Sequence, residues 1–273
     1  MKQRIVHLKQ SGELLTDVPG ERWTASALKR AADRIGEAQA HAKELGVAGL
    51  LVVSGGGNAP DGFGRGANIR AQFGENSMVS KYGDIIGRRS TTDNTIMLAA
   101  ALADAGILHT IIAAPHSLFQ DIELGDVKEY DPEFVQAAFK DGRVVLMAGG
   151  SGKGGRTTDA AVVEYALWQA KAHPEFESVA LKATKFNGVF DADPVKVPDA
   201  RHYAEISAST MLADYDRFAA VDKLCLETLH EAGDAGLDVR LQIYSAEHSI
   251  VDVLQDPTLG TIIHSQTVEP RFS

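Results

Sequence analysis

Short runs of aliphatic and β-branched residues alternate along this chain with longer Ala-rich amphipathic segments. No other feature narrows the possible folds as much. Arg4–Leu8, Gly49–Val53, Thr110–Ala113, Val144–Met147, Val179–Leu181, Val239–Ile243 and Thr261–Ile263 read as strands. Ser26–Leu45, roughly Ile85–Ala105, Pro132–Lys140 after an Asp131 cap, Thr158–Ala172 and Ala220–Ala235 read as helices. Strands joined through helices are parallel neighbours, because a helix carries the chain back to the starting edge of the sheet. The expectation is therefore an α/β protein, a three-layer α/β/α sandwich with a mostly parallel central sheet. A chain of 273 residues, 44% of them hydrophobic, is long enough to build that core as a single domain.

The glycines fall where such a sheet would use them. Lys9-Gln10-Ser11-Gly12 follows the first strand, Gly55-Gly56-Gly57-Asn58 the second, and Gly149–Gly155 precedes the helix beginning near Thr158. In a parallel sheet these loops share the carboxyl edge, where ligands bind. A single glycine cluster is most simply a turn needing positive φ. Three at one edge, with Leu181-Lys182-Ala183-Thr184-Lys185 ending a later strand, suit phosphorylated ligands held by backbone N–H and ammonium groups. The long Gly-rich stretch Asn58–Ser80 has no clear periodicity, and Asn187–Tyr203, with Val189-Phe190 and Val195-Lys196-Val197 inside it, reads as a hairpin or irregular excursion.

Familiar alternatives fail on spacing. Gly149-Gly150-Ser151-Gly152-Lys153-Gly154 is not a Walker A loop, since Gly154 stands where Ser or Thr must follow the lysine. The first strand does not open into a Gly-x-Gly-x-x-Gly turn, and no eukaryotic-type kinase signature occurs. Nine scattered histidines lack zinc-ligand spacing. A net charge of −10 without a long Lys/Arg run argues against nucleic acid or an anionic membrane as partner. The lone Cys225, inside Leu224-Cys225-Leu226, reads as a buried structural thiol and fits a reducing compartment. Met1-Lys2-Gln3-Arg4 leads into the first strand without an apolar leader, so a cytoplasmic location is expected.

The ordered motifs resemble the amino-acid-kinase superfamily and, within it, the bacterial uridylate (UMP) kinases. They are Leu8-Lys9-x-Ser11-Gly12-Glu13, Gly55-Gly56-Gly57-Asn58 with Gly64-Arg65-Gly66, Gly83-Asp84-x-x-Gly87 and Thr157-Thr158-Asp159. Lys182-Ala183-Thr184-Lys185 with Ala192-Asp193-Pro194, then Val221-Asp222 and Gly260-Thr261-Ile262-Ile263, complete the set. The resemblance runs from about Arg4 to Ile263. It implies a single amino-acid-kinase domain over residues 1–273, about 1–145 forming the acceptor-binding half and about 146–264 the ATP-binding half, with 265–273 a frayed tail. It also implies transfer of the ATP γ-phosphoryl group to UMP, giving UDP for pyrimidine nucleotide biosynthesis. Mg²⁺ would arrive on the ATP phosphates with no protein ligands assigned, and the assembly would be a homohexamer, a trimer of dimers.

By the same resemblance Lys9, Asp159 and Lys182 are the catalytic set: Lys9 near the transferring group, Lys182 balancing charge on the leaving side, Asp159 orienting the lysines. ATP would meet Lys9, Gln10, Ser11, Gly12, Gly57 and Arg65, with Thr184, Phe190 and Asp193 lining the adenosine pocket. UMP would meet Gly56, Asp84 at its ribose, and Ser151, Gly152, Lys153, Gly154, Gly155, Arg156, Thr157 and Thr158 at its phosphate. Asp222, at a helix start, is expected to be structural.

Three departures from the family pattern stand out. Lys153-Gly154-Gly155-Arg156 replaces an Asn-Pro-Phe-Phe-like run, Asn187 stands where an Asp is usual, and Arg88-Arg89-Ser90-Thr91-Thr92-Asp93 replaces a largely apolar stretch that in the family helps form the dimer contact. Two alternatives stay open: a kinase of the same fold for another small acceptor, and a non-catalytic nucleotide- or oxyanion-binding storage protein on this scaffold.

Overall fold

The computed structural model describes residues 2–18, 21–57, 72, 74, 78–115, 128–152, 156–218 and 221–273, with the side chains of 79–84 and 86 excepted. Arg65, Lys153, Gly154, Gly155 and the side chain of Asp84 lie outside this description. The chain divides into two compact units: Met1–Leu8 with Ala40–Ala48 and Asp159–Ser273, and Lys9–Gln39 with Gly49–Thr158.

The first unit holds the start of strand β1 (Arg4–Gln10), then β6 (Glu177–Thr184), β7 (Val189–Phe190), β8 (His202–Ser207), β9 (Val239–Ser245), β10 (Thr261–His264) and β11 (Arg271–Phe272). Their order is β11-β8-β10-β9-β6-β1. β6 and β9 run parallel over seven residue pairs from Ser178↔Val239 to Thr184↔Ser245, and β10 is antiparallel to β9 but parallel to β8. The second unit holds the end of β1, most of β2 (Val47–Ser54), β3 (His109–Ala113), β4 (Lys128–Glu129) and β5 (Val144–Ala148), in the order β1-β2-β5-β3-β4. Here β2 with β5, β3 with β5 and β3 with β4 are all parallel. The protein is thus α/β with a mostly parallel sheet. Every residue of β5 is wholly buried, as befits a parallel strand covered on both faces.

Local chemistry fixes the helices: α1 (Ala25–Ala40), α2 (Met78–Asp104), α3 (Pro132–Lys140), α4 (Thr158–Ala172), α5 (Ala208–Ala213), α6 (Lys223–Asp234) and α7 (Ile250–Gln255). Asp131 caps α3 by accepting from Glu133 N at 2.9 Å, with Pro132 in its first turn. Asp222 caps α6 by accepting from Cys225 N at 3.0 Å, so its role at a helix start is structural. Ser249 and Asp252 form a reciprocal capping box on α7. Along α4, Ala160–Leu167 are all buried, Glu164 included, which marks a helix enclosed on every side rather than one with a solvent face.

Each predicted strand and helix is present, with α2 beginning at Met78 rather than near Ile85 and with further differences elsewhere. Helix α1 stops at Ala40 rather than Leu45, because residues 41–46 close into turns ending on Gly46 at φ 64°. In the Asn187–Tyr203 excursion Val189-Phe190 forms β7, antiparallel to β8, while Val195-Lys196-Val197 is irregular: Lys196 N and Val197 N both bond back to Asp193 O, and Val195 is 71% exposed. Strands β4 and β8 and helices α5 and α7 add to the predicted elements. Residues 265–273 are not frayed. Phe272 stacks on Tyr203 at 4.4 Å between ring centroids, Arg271 pairs with Glu205, and β11 adds antiparallel to β8.

Candidate active site

In the second unit three strand ends converge. Gly12, just past β1, lies so close to the β2 turn that a Cβ on it would fall 2.5 Å from Gly55 O and 2.6 Å from Gly57 N. Gly57 has φ 68°, and a Cβ there would meet the Gly12 backbone at 2.9 Å. A Cβ on Gly55 would meet the Thr158 hydroxyl at 3.4 Å, and one on Gly150 would meet the Thr158 methyl at 3.9 Å. Gly12, Gly55, Gly57, Gly150 and Thr158 are therefore neighbours, and a side chain at Gly12 or Gly57 would collide with the backbone of the facing loop, so glycine is what lets the two strand ends meet.

Side chains of α2 hold these loops. Asn94 Nδ2 donates to Gly55 O at 2.7 Å, Ser90 Oγ to Gly56 O at 3.1 Å, and Arg88 Nη1 to Gly152 O at 2.6 Å. Thr95 Oγ1 donates to Met147 O at 3.1 Å, near the end of β5. The polar run Arg88–Asp93, read as a change to a dimer face, thus places Ser90, Thr91 and Thr92 in buried positions, with Arg88 and Ser90 on the glycine loops. Sequence reasoning missed Arg88, Ser90 and Asn94 as site residues, since nothing local to α2 says which loops it will face.

In the first unit, Asp159 in the opening turn of α4 and Lys182 on β6 form an ion pair, Oδ2 to Nζ 2.5 Å. Cys225 is buried nearby, and burial together with the Asp159 charge pushes its thiol pKa far up, so it is inert as a nucleophile at neutral pH. At the end of β6, Thr184 Oγ1 donates to Phe186 O at 2.6 Å. Asn187 Oδ1 accepts from Ser245 N at 3.2 Å. Phe190 packs against His202 at 5.2 Å between ring centroids. Asp193 accepts from Val195 N at 3.0 Å and pairs with Lys196; those contacts, the Val195 amide foremost, hold its carboxyl below the usual range.

The predicted residues are thereby sorted. Lys9, Gln10, Ser11, Gly12, Gly56, Gly57, Ser151, Gly152, Arg156, Thr157 and Thr158 belong to the second unit; Asp159, Lys182, Thr184, Phe190 and Asp193 belong to the first. Among the described residues no group of three or more His, Cys, Asp or Glu side chains could form a metal cage. None of the described helices is long and apolar enough to cross a membrane.

Residues 4–237 match the model of the amino acid kinase family. The chain belongs to the amino acid kinase family. Among its relatives is the uridylate kinase of Serratia proteamaculans, 34% identical over 263 residues, 96% of this chain and 95% of that protein. The UMP kinase of Bacillus anthracis has a similar structure, with a TM-score of 0.74 at 20% identity over 100% of this chain and 99% of that one. An aspartate kinase from Synechocystis also matches, with a TM-score of 0.63 and 18% identity over 98% of this chain but 40% of that one. At those identities the structures show the amino acid kinase fold alone. The fold therefore does not choose the acceptor.

Proposed function

We propose that the protein is an ATP-dependent UMP kinase, transferring the γ-phosphoryl group of Mg-ATP to the 5′-phosphate of UMP and releasing UDP and ADP for pyrimidine nucleotide synthesis. The observation that carries this reading is the convergence of Gly12, Gly55 and Gly57 beside Thr158. Side-chain-free backbone at strand ends is what two phosphorylated ligands require. The full-length likeness to proteins named uridylate kinase supports UMP as the acceptor over other small anions.

Phosphoryl transfer between two phosphates asks for position and charge rather than a nucleophilic side chain. In this reading Lys9 neutralises oxygens of the group in transit, and Lys182 offsets charge accumulating on the leaving ADP. Asp159 holds the Lys182 ammonium in place through their 2.5 Å ion pair. Gln10, Ser11, Gly12 and Gly57 serve the ATP phosphates, with Arg65 reaching the nucleotide. Gly56, Ser151, Gly152, Lys153, Gly154, Gly155, Arg156, Thr157 and Thr158 serve the UMP phosphate, and Asp84 its ribose. Thr184, Phe190 and Asp193 border the adenosine. Mg²⁺ enters with ATP as part of the substrate. A cytoplasmic homohexamer completes the proposal.

Phosphorus NMR of the protein with Mg-ATP and UMP tests it. The expected result is a UDP β-phosphate resonance growing in step with ADP. ATP loss without UDP, or no reaction, would contradict it.

A further inference from the structure

The Gly55–Gly57 turn is held from α2 in a way that fixes which direction its amides face. A trans peptide points its C=O and the following N–H in opposite directions. Asn94 and Ser90, four residues apart on one face of α2, bind the carbonyls of Gly55 and Gly56 respectively. With both carbonyls turned to α2, the N–H groups of Gly56 and Gly57 point away from it. Two successive N–H groups so aligned form an anion cradle.

Asn94 is itself held. Its side chain is buried, and its Oδ1 accepts from Trp23 Nε1 at 2.8 Å, which leaves Nδ2 as the group facing Gly55. An amide with no partner on its oxygen could flip and present that oxygen to the Gly55 carbonyl, a repulsive contact. The indole N–H removes that option. Arg22 locks Trp23 in turn: its guanidinium lies 4.5 Å from the indole centroid and pairs with Asp93 at 3.1 Å, one residue before Asn94.

We infer that Trp23 and Asn94 are positioning residues for phosphate binding, acting in series: the indole orients the Asn94 amide, and the amide sets the Gly55 peptide so that the Gly56 and Gly57 N–H groups meet phosphate oxygens. The inference rests on the proposed function for the identity of the phosphates but not for the geometry.

A double-mutant cycle on the full chain tests it. Trp23→Phe keeps an aromatic ring, though a smaller one, and loses the indole N–H; Asn94→Ala loses both links. Loss of one such bond predicts kcat/KM for UMP lower by about tenfold in W23F and about a hundredfold in N94A, and W23F adds nothing in the N94A background. The thermal midpoint of W23F falls by several degrees, because Asn94 Oδ1 stays buried without its donor; a fold-wide loss of that size does not by itself lower phosphate affinity. Affinity for inorganic tripolyphosphate, measured by calorimetry, falls in parallel. This second measurement separates the two claims: a parent protein that never phosphorylates UMP contradicts the proposed function, while the tripolyphosphate titration still decides the positioning claim. Asn94→Asp, which keeps the acceptor for the indole and loses the donor to Gly55, replaces N94A if that variant does not fold. Unchanged tripolyphosphate affinity in W23F, or losses that multiply in the double variant, overturns the inference.

Discussion

Asp159 and Lys182 form an ion pair at 2.5 Å whose side chains are 16% and 11% exposed, one from the first turn of α4 and the other from β6. A pair so far removed from water is held by mutual neutralisation, and deleting one member strands the other charge. Asp159→Asn should therefore cost about 3 kcal/mol of stability, with the Asp159→Asn/Lys182→Met double variant less destabilised than the sum of the singles. Urea titrations of the four proteins measure this; strict additivity would show that the two charges do not depend on each other. Turnover should fall by at least about a hundredfold in either single variant, the scale of a lost electrostatic group at a reacting centre.

Gly150 and Gly152 stand two residues apart with similar positive φ, 64° and 73°, in very different space. A Cβ on Gly152 would lie 1.7 Å from Pro115 O, whereas one on Gly150 meets nothing closer than 3.9 Å. Gly150→Ala should cost only the left-handed strain, about 1 kcal/mol, and Gly152→Ala well above about 3 kcal/mol, since backbone must move. Thermal midpoints of the two variants decide it, and equal shifts would contradict the described packing.

His7, wholly buried on β1, has its pKa lowered from 6.5 to about 3 by loss of hydration. The unfolded chain binds a proton below pH 6.5 that the folded chain refuses until about pH 3. The neutral ring's full contribution is thus present above pH 6.5 and is lost as the pH falls toward 3, at up to about 1.4 kcal/mol per unit. His7→Gln should flatten the pH dependence of the urea midpoint between pH 6 and 4. Parallel curves for parent and variant would remove His7 as its cause.

The sheet was legible because its strands carry apolar patterns that need no context: Val144–Met147 is a continuous apolar run, as suits a parallel strand buried on both faces, and Val239–Ile243 alternates Val, Leu and Ile with Arg240 and Gln242. The Asp131 cap and the burial of Cys225 followed from equally local chemistry. Strand β8 was not legible, since His202-Tyr203-Ala204-Glu205 has no clean alternation and owes its pairing to β10 and β11. At the site the glycines were visible as punctuation. Their keepers were not, because Trp23 and Asn94 are 71 positions apart and only the packing of α2 makes them partners.

An aromatic contact adds to the strand pairing and the Arg271–Glu205 pair that hold β11. Phe272 stacks on Tyr203, and the Arg201 guanidinium lies 4.0 Å from its ring centroid on the phenyl face. Phe272→Ala should destabilise the protein by about 2 kcal/mol, and Phe272→Leu by less, since part of the apolar contact survives. Calorimetric melting reads both. No shift in either variant would mean that the segment adds nothing to the fold.

Whether this amino acid kinase acts on UMP is decided by ADP release from Mg-ATP across UMP, CMP, dUMP, GMP and AMP, with an acceptor-free control. Selective turnover of UMP over a negligible background is expected. Binding of ATP without turnover of any of the five would contradict it and point to another acceptor or to a protein that holds nucleotide without chemistry.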